Sequence, residues 1–235
     1  MYTVDLTGKN ALIFGVANHR SIAWAIAQAL YSAGAKVALT YQTERLKESV
    51  EELAKEIGDA PLFQCDVSVD GDVEALYKKV GETMGSLSTV VHSIAFAHRD
   101  DLGGDFSKTE REGFRMALDV SAFSLIPVVR YAEPLMTEGG NVIAMTFLAG
   151  EKVFPGYNVM GVAKAALENS VKQLAAEFGP SNIRVNAISA GPLDTLSSRV
   201  ITGYRDMKRI HQERAPMARN ITHEDVGGTA LYLAS

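Results

Sequence analysis

The chain cannot form an internal disulfide, because Cys65 is its only cysteine. A disulfide-stapled secreted fold is thereby excluded, and a reducing compartment, the cytoplasm, is expected. Cys65 itself reads as a small hydrophobe in a buried strand. Long apolar runs are also missing: none approaches the roughly 20 residues that a membrane-spanning helix needs. The first residues lack the basic-then-apolar layout of a secretory leader, so no membrane partner is expected. Positive charge is in deficit, with 23 Lys and Arg against 28 Asp and Glu and a net charge of −5. That balance argues against general nucleic-acid binding. No low-complexity stretch, internal repeat or interdomain linker interrupts the sequence, and no metal is expected.

What is present is an ordinary globular composition, 47% hydrophobic and 22% charged, over 235 residues. That length suits one domain, 1–235, with a sizeable core. Short apolar runs alternate with helical patterns. The predicted strands are Asn10–Phe14, Lys36–Thr40, Leu62–Cys65, Thr89–Ser93, Asn141–Thr146 and Ile183–Ile188. Between them, Ile22, Ala23, Ile26, Ala27 and Leu30 form one apolar stripe, and Leu46, Val50, Leu53 and Ile57 another. Val73, Leu76 and Val80 mark a third helix, a long one spans roughly Glu110 to Leu135, and another carries Tyr157 and Lys164 to about Phe178. Strands that return to the sheet through helices must pair in parallel, and nearly unbroken apolar strands fit a sheet covered on both faces. The expected fold is therefore α/β, a single doubly wound Rossmann-type domain with a mostly parallel sheet. Ligands should bind beyond the carboxyl ends of its strands.

The first strand-to-helix turn reads Gly15-Val-Ala-Asn-His-Arg-Ser21-Ile22. Gly15 lets backbone approach a pyrophosphate, and Ser21 is a suitable helix N-cap. The usual G-x-G-x-x-G is absent, so the turn alone fits an ordinary loop as well as a dinucleotide site. After the second strand, Gln42 offers hydrogen bonds to ribose hydroxyls but no charge to neutralise a 2′-phosphate, which favours NADH; Arg45 nearby keeps NADPH open. Asp66 and Val67 are placed at the adenine edge, and Ser93, Ile94 and Ala95 beside the ribose.

Tyr157 and Lys164 are seven residues apart. On a helix, about 100° per residue returns the second side chain to within roughly 20° of the first, roughly 10.5 Å further along. Both could then face one cleft. A lysine there can hold ribose hydroxyls and favour ionisation of a nearby phenol, while the phenol can hydrogen-bond an oxygen that gains negative charge.

The segment Tyr157-Asn-Val-Met-Gly-Val-Ala-Lys164-Ala-Ala-Leu167 resembles the signature of enoyl-[acyl-carrier-protein] reductases within the short-chain dehydrogenase/reductase superfamily. So do Ile183-Arg-Val-Asn-Ala-Ile-Ser-Ala-Gly-Pro192, Ser93-Ile-Ala-Phe-Ala97 and Arg111-Glu-Gly-Phe114, so the resemblance covers essentially the whole chain. Ordinary superfamily members carry the tyrosine four residues before the lysine, where this chain has Met160. The resemblance implies NADH-dependent reduction of a trans-2-enoyl thioester carried by acyl carrier protein, in fatty-acid biosynthesis. It implies that Tyr157 binds the thioester oxygen, that Lys164 fixes the cofactor ribose, and that Gly15, Ser21, Ile22, Gln42, Asp66, Val67, Ile94, Leu193, Thr195 and Ser197 touch the cofactor. Ala97 falls at a substrate position, a homotetramer is implied, and the substrate lid is placed at about 195–220.

Two positions depart from the family pattern. Phe147 occupies the place of a second active-site tyrosine, which leaves Tyr157 as the only phenol expected at the enolate. Asp194 stands where an arginine is common, a reversed charge beside the expected phosphates. Between Leu196 and Asn220, six basic residues (Arg199, Arg205, Lys208, Arg209, Arg214 and Arg219) face two acidic ones, Asp206 and Glu213. That basic excess suits a steering surface for an acidic carrier protein, although a solvated helix pair with incidental charges would look the same. The family continues past Ala230-Leu-Tyr-Leu-Ala-Ser235 into a last strand and a Gly-rich tail, so the C-terminal strand is apparently missing and an open sheet edge is expected. Two other readings stay open: a carbonyl-reducing member of the superfamily, against which Met160 argues, and a non-catalytic dinucleotide-binding protein.

Overall fold

The computed structural model describes residues 3–201 and 203–235. Six strands form one parallel sheet: β1 (Asn10–Phe14), β2 (Lys36–Tyr41), β3 (Leu62–Gln64), β4 (Thr89–His92), β5 (Gly140–Thr146) and β6 (Ile183–Ser189). Their order across the sheet is β3-β2-β1-β4-β5-β6, with every neighbouring pair parallel. The expected doubly wound α/β architecture is what forms. The central strands are apolar along their length because helices cover both faces. On one face, α1 (Ile22–Ser32), α2 (Glu44–Glu56) and α8 (His223–Ala234) pack around Trp24, Leu30 and Val50; on the other, α3 (Asp70–Met84), α5 (Leu125–Ala132) and α6 (Asn158–Phe178) pack around Leu76, Leu125 and Leu167. Among the described residues, no helix is long and apolar enough to cross a membrane.

Three expectations need adjustment. The long helix over Glu110–Leu135 changes pitch: α4 (Arg111–Leu118) passes through a π turn at Asp119–Phe123 into α5, and a 3₁₀ turn at Glu133–Leu135 ends it. Pro134 accounts for that last tightening, since a proline cannot donate into the α ladder. Tyr157 is not inside its helix but at the position just before α6. Gly156 at φ +79° and Asn158 at φ +30° flank it with backbone outside right-handed helical geometry, which delays the regular helix. Cys65 lies one residue beyond β3, yet it is buried as expected, and loss of water pushes its thiol up to about 12.

The stretch expected to be the lid contains a 3₁₀ turn at Ser197–Val200 and α7 (Tyr204–Arg214). No residue of α7 is fully buried. Its placement therefore depends on a few specific side-chain contacts rather than on a core.

Candidate active site

The strand order reverses between β1 and β4, and the crevice expected at such a switch point opens beyond their carboxyl ends. A cavity of about 210 Å³ lies there, walled by Gly15 after β1, Ser93–Ala95 after β4, Phe147 after β5 and Ala190–Leu193 after β6. Ser21, Ile22, Thr195 and Ser197 also face it, as do Tyr157 and Lys164. The two residues paired by their spacing thus reach one cavity with most of the proposed cofactor set.

This cavity suits a dinucleotide. Gly15 has φ +94°, and a Cβ built on it would lie 2.0 Å from the Ser93 carbonyl oxygen, so the β1 and β4 ends approach as only glycine permits. Ser21 holds the N-cap position of α1, but its hydroxyl does not cap the helix. Its Oγ accepts instead from the amides of Ala17 and Asn18, at 3.0 and 3.1 Å, and so shapes the preceding loop. No side chain caps the first turn of α1, whose amides remain suited to an anionic group.

Gln42, Asp66 and Val67 lie apart from this cavity, beyond the carboxyl ends of β2 and β3. Gln42 Nε2 donates to Asp66 Oδ2 at 3.1 Å, which joins the expected ribose and adenine contacts into one polar rim. Val67 is buried among the core residues of the α3 face. Ala97 does not line the cavity either; it packs against the cluster of Leu102, Met160 and Ala163, as Tyr157 also does.

Lys164 occupies a core-facing position of α6, between Ala163 and Leu167 on the buried stripe. Its Nζ donates to the Met145 carbonyl at 2.7 Å. Burial lowers its pKa to about 8, and the Glu168 carboxylate works against that fall. Glu168 in turn accepts from Thr146 Oγ1 at 2.6 Å, fixing the residue before Phe147. Beside Lys164 lies His92, wholly buried. Ser124 Oγ donates to Val120 O at 2.7 Å and lies 2.8 Å from His92 Nε2. The single hydroxyl hydrogen is thereby committed, so Nε2 carries the ring proton. His92 Nδ1 has no hydrogen-bond partner among the described residues, and burial together with the charge of Lys164 depresses the imidazole to about 3. His92 is therefore a neutral neighbour of the lysine at any working pH.

The Tyr157 ring stacks at a tilt on Phe147, with centroids 5.2 Å apart, and Phe147 continues to Phe154 at 4.9 Å. The phenol's ionisation is not assisted. Loss of water, and then the neighbouring Tyr204, hold Tyr157 above the ordinary phenol range. The expectation that lysine would promote ionisation fails, because burial outweighs any such attraction. At neutral pH Tyr157 is a protonated hydrogen-bond donor.

Asp194 does not point at the expected phosphate region unopposed: it is exposed and pairs with Lys208 Nζ on α7 at 2.5 Å. Arg209 pairs with Glu213 and Asp206, and Arg219 with Asp225. Among the described residues, Arg199, Arg205 and Arg214 have no carboxylate partner. The basic surface is thus smaller than the count of charges suggests. A second, larger cavity of about 960 Å³ adjoins the first, sharing Phe147, Ala190–Pro192 and Met207 with it; Leu148, Phe154 and Ile210 add apolar walls. Sequence reasoning missed Thr146, Met207 and Tyr204 in the active-site cavity, and Tyr204 overturns the expectation that Tyr157 is its only phenol.

Comparison with known proteins bears on all of this. The family model described as "Enoyl-(Acyl carrier protein) reductase" matches residues 15–235. The enoyl-[acyl-carrier-protein] reductase [NADH] FabI of Nostoc sp. is 48% identical over 235 residues, covering 99% of this chain and 91% of that protein. An enoyl-[acyl-carrier-protein] reductase [NADPH] FabI of Staphylococcus aureus is 47% identical over 234 residues, covering 99% of this chain and 91% of that one. The crystal structure of the Bacillus cereus enoyl-acyl carrier protein reductase with NADP+ and indole naphthyridinone superposes with a TM-score of 0.96 at 48% identity, covering 100% of this chain and 91% of that chain.

Proposed function

This chain belongs to the enoyl-(acyl carrier protein) reductase family, and on that premise we propose how its residues divide the work of reducing the trans-2 double bond of an enoyl-acyl-carrier-protein thioester. NADH, when bound, supplies a hydride to the β-carbon of the enoyl group. Negative charge then grows on the thioester oxygen, Tyr157 meets it with a hydrogen bond from a phenol that stays protonated, and a proton from water at the α-carbon completes the reduction. Lys164 holds the ribose hydroxyls from its buried position, steadied by Met145 O. Gly15, Ser21, Ile22, Ser93, Ile94 and Ala95 line the cofactor on the β1–β4 side; Leu193, Thr195 and Ser197 do so from the lid side. Gln42 and Asp66 take the adenosine end, with Val67 behind them. Phe147 supplies the aromatic wall without a hydroxyl, and Ala97 packs against the same small cluster as Tyr157.

The observation that carries this reading is that Tyr157, Lys164 and the strained Gly15 turn face one cavity at the switch point of the sheet. The test is NADH oxidation with crotonyl-CoA, run against NADPH and against a panel of ketones. Enoyl reduction that collapses at least about 100-fold in Tyr157→Phe supports it. Equal turnover by wild type and Tyr157→Phe, or activity on ketones alone, sinks it.

The proposal extends to organisation. Residues 1–235 act as one reductase domain in the cytoplasm, with 195–220 as the substrate lid and acyl carrier protein as the partner that delivers the chain. We place the protein as a homotetramer. Support comes from the α4–α6 face, where Phe114, Met116, Phe123 and Ile126 surround a cavity and Phe123 is 47% exposed. Light scattering measures the assembly directly, and a monomer at micromolar concentration refutes it.

A further inference from the structure

Tyr204, the first residue of α7, brings a second phenol into the cavity that holds Tyr157 and Lys164. Its position is set from two sides. The hydroxyl donates to the carbonyl oxygen of Leu193. Four residues later, and so on the same face of the helix, Lys208 holds Asp194. Contacts to two consecutive residues, 193 and 194, fix the rotation of α7 about its axis and turn the Tyr204 ring inward. The hydroxyl remains a donor, since burial, aided by the charge of Asp194 and opposed by a hydrogen bond with Ser198, pushes its pKa up to about 12. Tyr204 is also near enough to Tyr157 to raise the latter's pKa. Phe147, stacked on Tyr157 in the same cavity, presents a ring with no hydroxyl.

We infer that Tyr204 is a catalytic residue of this chain: with substrate bound, its O–H turns from the Leu193 carbonyl to the thioester oxygen beside Tyr157. This inference rests on the reading of the site given above. The exchange is between a bond to a neutral carbonyl and a bond to an oxygen that gains charge, and bonds to charged acceptors are roughly twice as strong. It gains little in the ground state, where both acceptors are neutral, and most in the transition state. The benefit therefore falls on kcat rather than on KM. The lid thus contributes chemistry as well as cover, and it supplies from α7 the hydroxyl that Phe147 lacks.

The test is steady-state kinetics of the full chain with crotonyl-CoA and NADH, with thermal melts to confirm folding. Tyr204→Phe is expected to lower kcat about tenfold while KM for NADH stays within about twofold. Adding Phe147→Tyr to that variant returns a hydroxyl from the ring stacked on Tyr157 and recovers at least about threefold in kcat. Asp194→Asn loosens the neighbouring clasp but keeps the phenol and its Leu193 contact, so its loss in kcat should be at most about threefold and clearly smaller than that of Tyr204→Phe. The inference is overturned by an unchanged kcat in Tyr204→Phe, by the same loss in Asp194→Asn, which would make Tyr204 only a lid anchor, or by no recovery with Phe147→Tyr. Failure of the underlying site reading looks different: wild type inactive on the enoyl substrate, or unaffected by Tyr157→Phe.

Discussion

Lys208 Nζ sits 2.5 Å from Asp194 Oδ2, joining α7 to the loop that follows β6. The acidic residue that looked unfavourable beside cofactor phosphates is spoken for by a lysine fourteen residues later. The same pairing removes Lys208 from the surface charge available to a carrier protein. Arg205 is left with no carboxylate partner among the described residues.

Charge reversal should therefore separate the two positions. Arg205→Glu is expected to raise KM for the carrier-bound substrate about threefold or more at low salt, with little change for crotonyl-CoA. Lys208→Glu breaks the clasp, so KM should rise for both substrates. Equal behaviour of the two variants on both substrates refutes the assignment.

The depressed lysine gives a pH prediction with a definite sign. Lys164 titrates near 8 in the folded chain against an ordinary 10.5. Below about pH 8 both folded and unfolded states hold the proton, and the full penalty of burying the charge applies. Between about 8 and 10.5 the unfolded state binds more protons, so this group's contribution to stability rises with pH, by about 3 kcal/mol in all. Urea denaturation of Lys164→Met should lack that component. For activity the sign reverses, because kcat/KM should fall above about pH 8 as the ribose-holding charge is lost. Glu168→Gln removes the carboxylate that sustains the charge and should move this alkaline limb to lower pH. His92, the other titratable neighbour, is already neutral and adds no limb. An alkaline limb unmoved by Glu168→Gln counts against this account.

At the sheet's switch point, Gly15→Ala should be severe. The new Cβ would meet the Ser93 carbonyl oxygen at 2.0 Å, that oxygen is backbone and held at the β4 end, and φ is +94°. Strain and overpacking together cost about 2–5 kcal/mol, readable by chemical denaturation alongside loss of NADH binding. A variant within 1 kcal/mol of wild type, on the order of a surface substitution, would show that the β1–β4 contact is soft.

Cofactor preference turns on the rim formed by Gln42 and Asp66. An adenosine 2′-phosphate near Gln42 would face the Asp66 carboxylate, so wild type should favour NADH. Asp66→Asn removes the repulsion and should narrow the NADH-to-NADPH ratio of kcat/KM by about threefold or more. An unchanged ratio places the 2′-phosphate elsewhere.

The strands were legible because each is an apolar run ended by a residue of different character, such as Gly15 after β1 or Asp66 soon after β3. Their limits fall within one residue of expectation. Lys164 was legible for a similar reason: it interrupts an apolar helical stripe, where a charge needs a purpose. Tyr157 lines one cavity with Lys164 but sits just before the helix rather than inside it, because spacing alone does not reveal the positive φ of Gly156 and Asn158 on either side of it. Tyr204 was not legible at all. Its helix has no buried residue, and the contacts that turn it inward reach back to Leu193 and Asp194, where no local pattern points to them. The link from Gln42 to Asp66 joins residues 24 apart on different strand ends, which only the sheet register brings together.

The π turn at Asp119–Phe123 bears on which lengths of chain this fold can accept. It supplies Ser121, whose hydroxyl clamps both the amide and the carbonyl of Phe96, and it sets the start of α5, where Ser124 meets His92. Removing one residue there would close the wide turn into a regular α-helix and leave α5 in register, at the cost of the Ser121 clamp on Phe96. Removing one residue from α4 instead would rotate everything after it by about 100°, so that Ser124 would leave His92 and Leu125, Val128 and Val129 would swing out of the core. The wide turn is therefore the one place along α4 and α5 where a single-residue deletion should be absorbed locally.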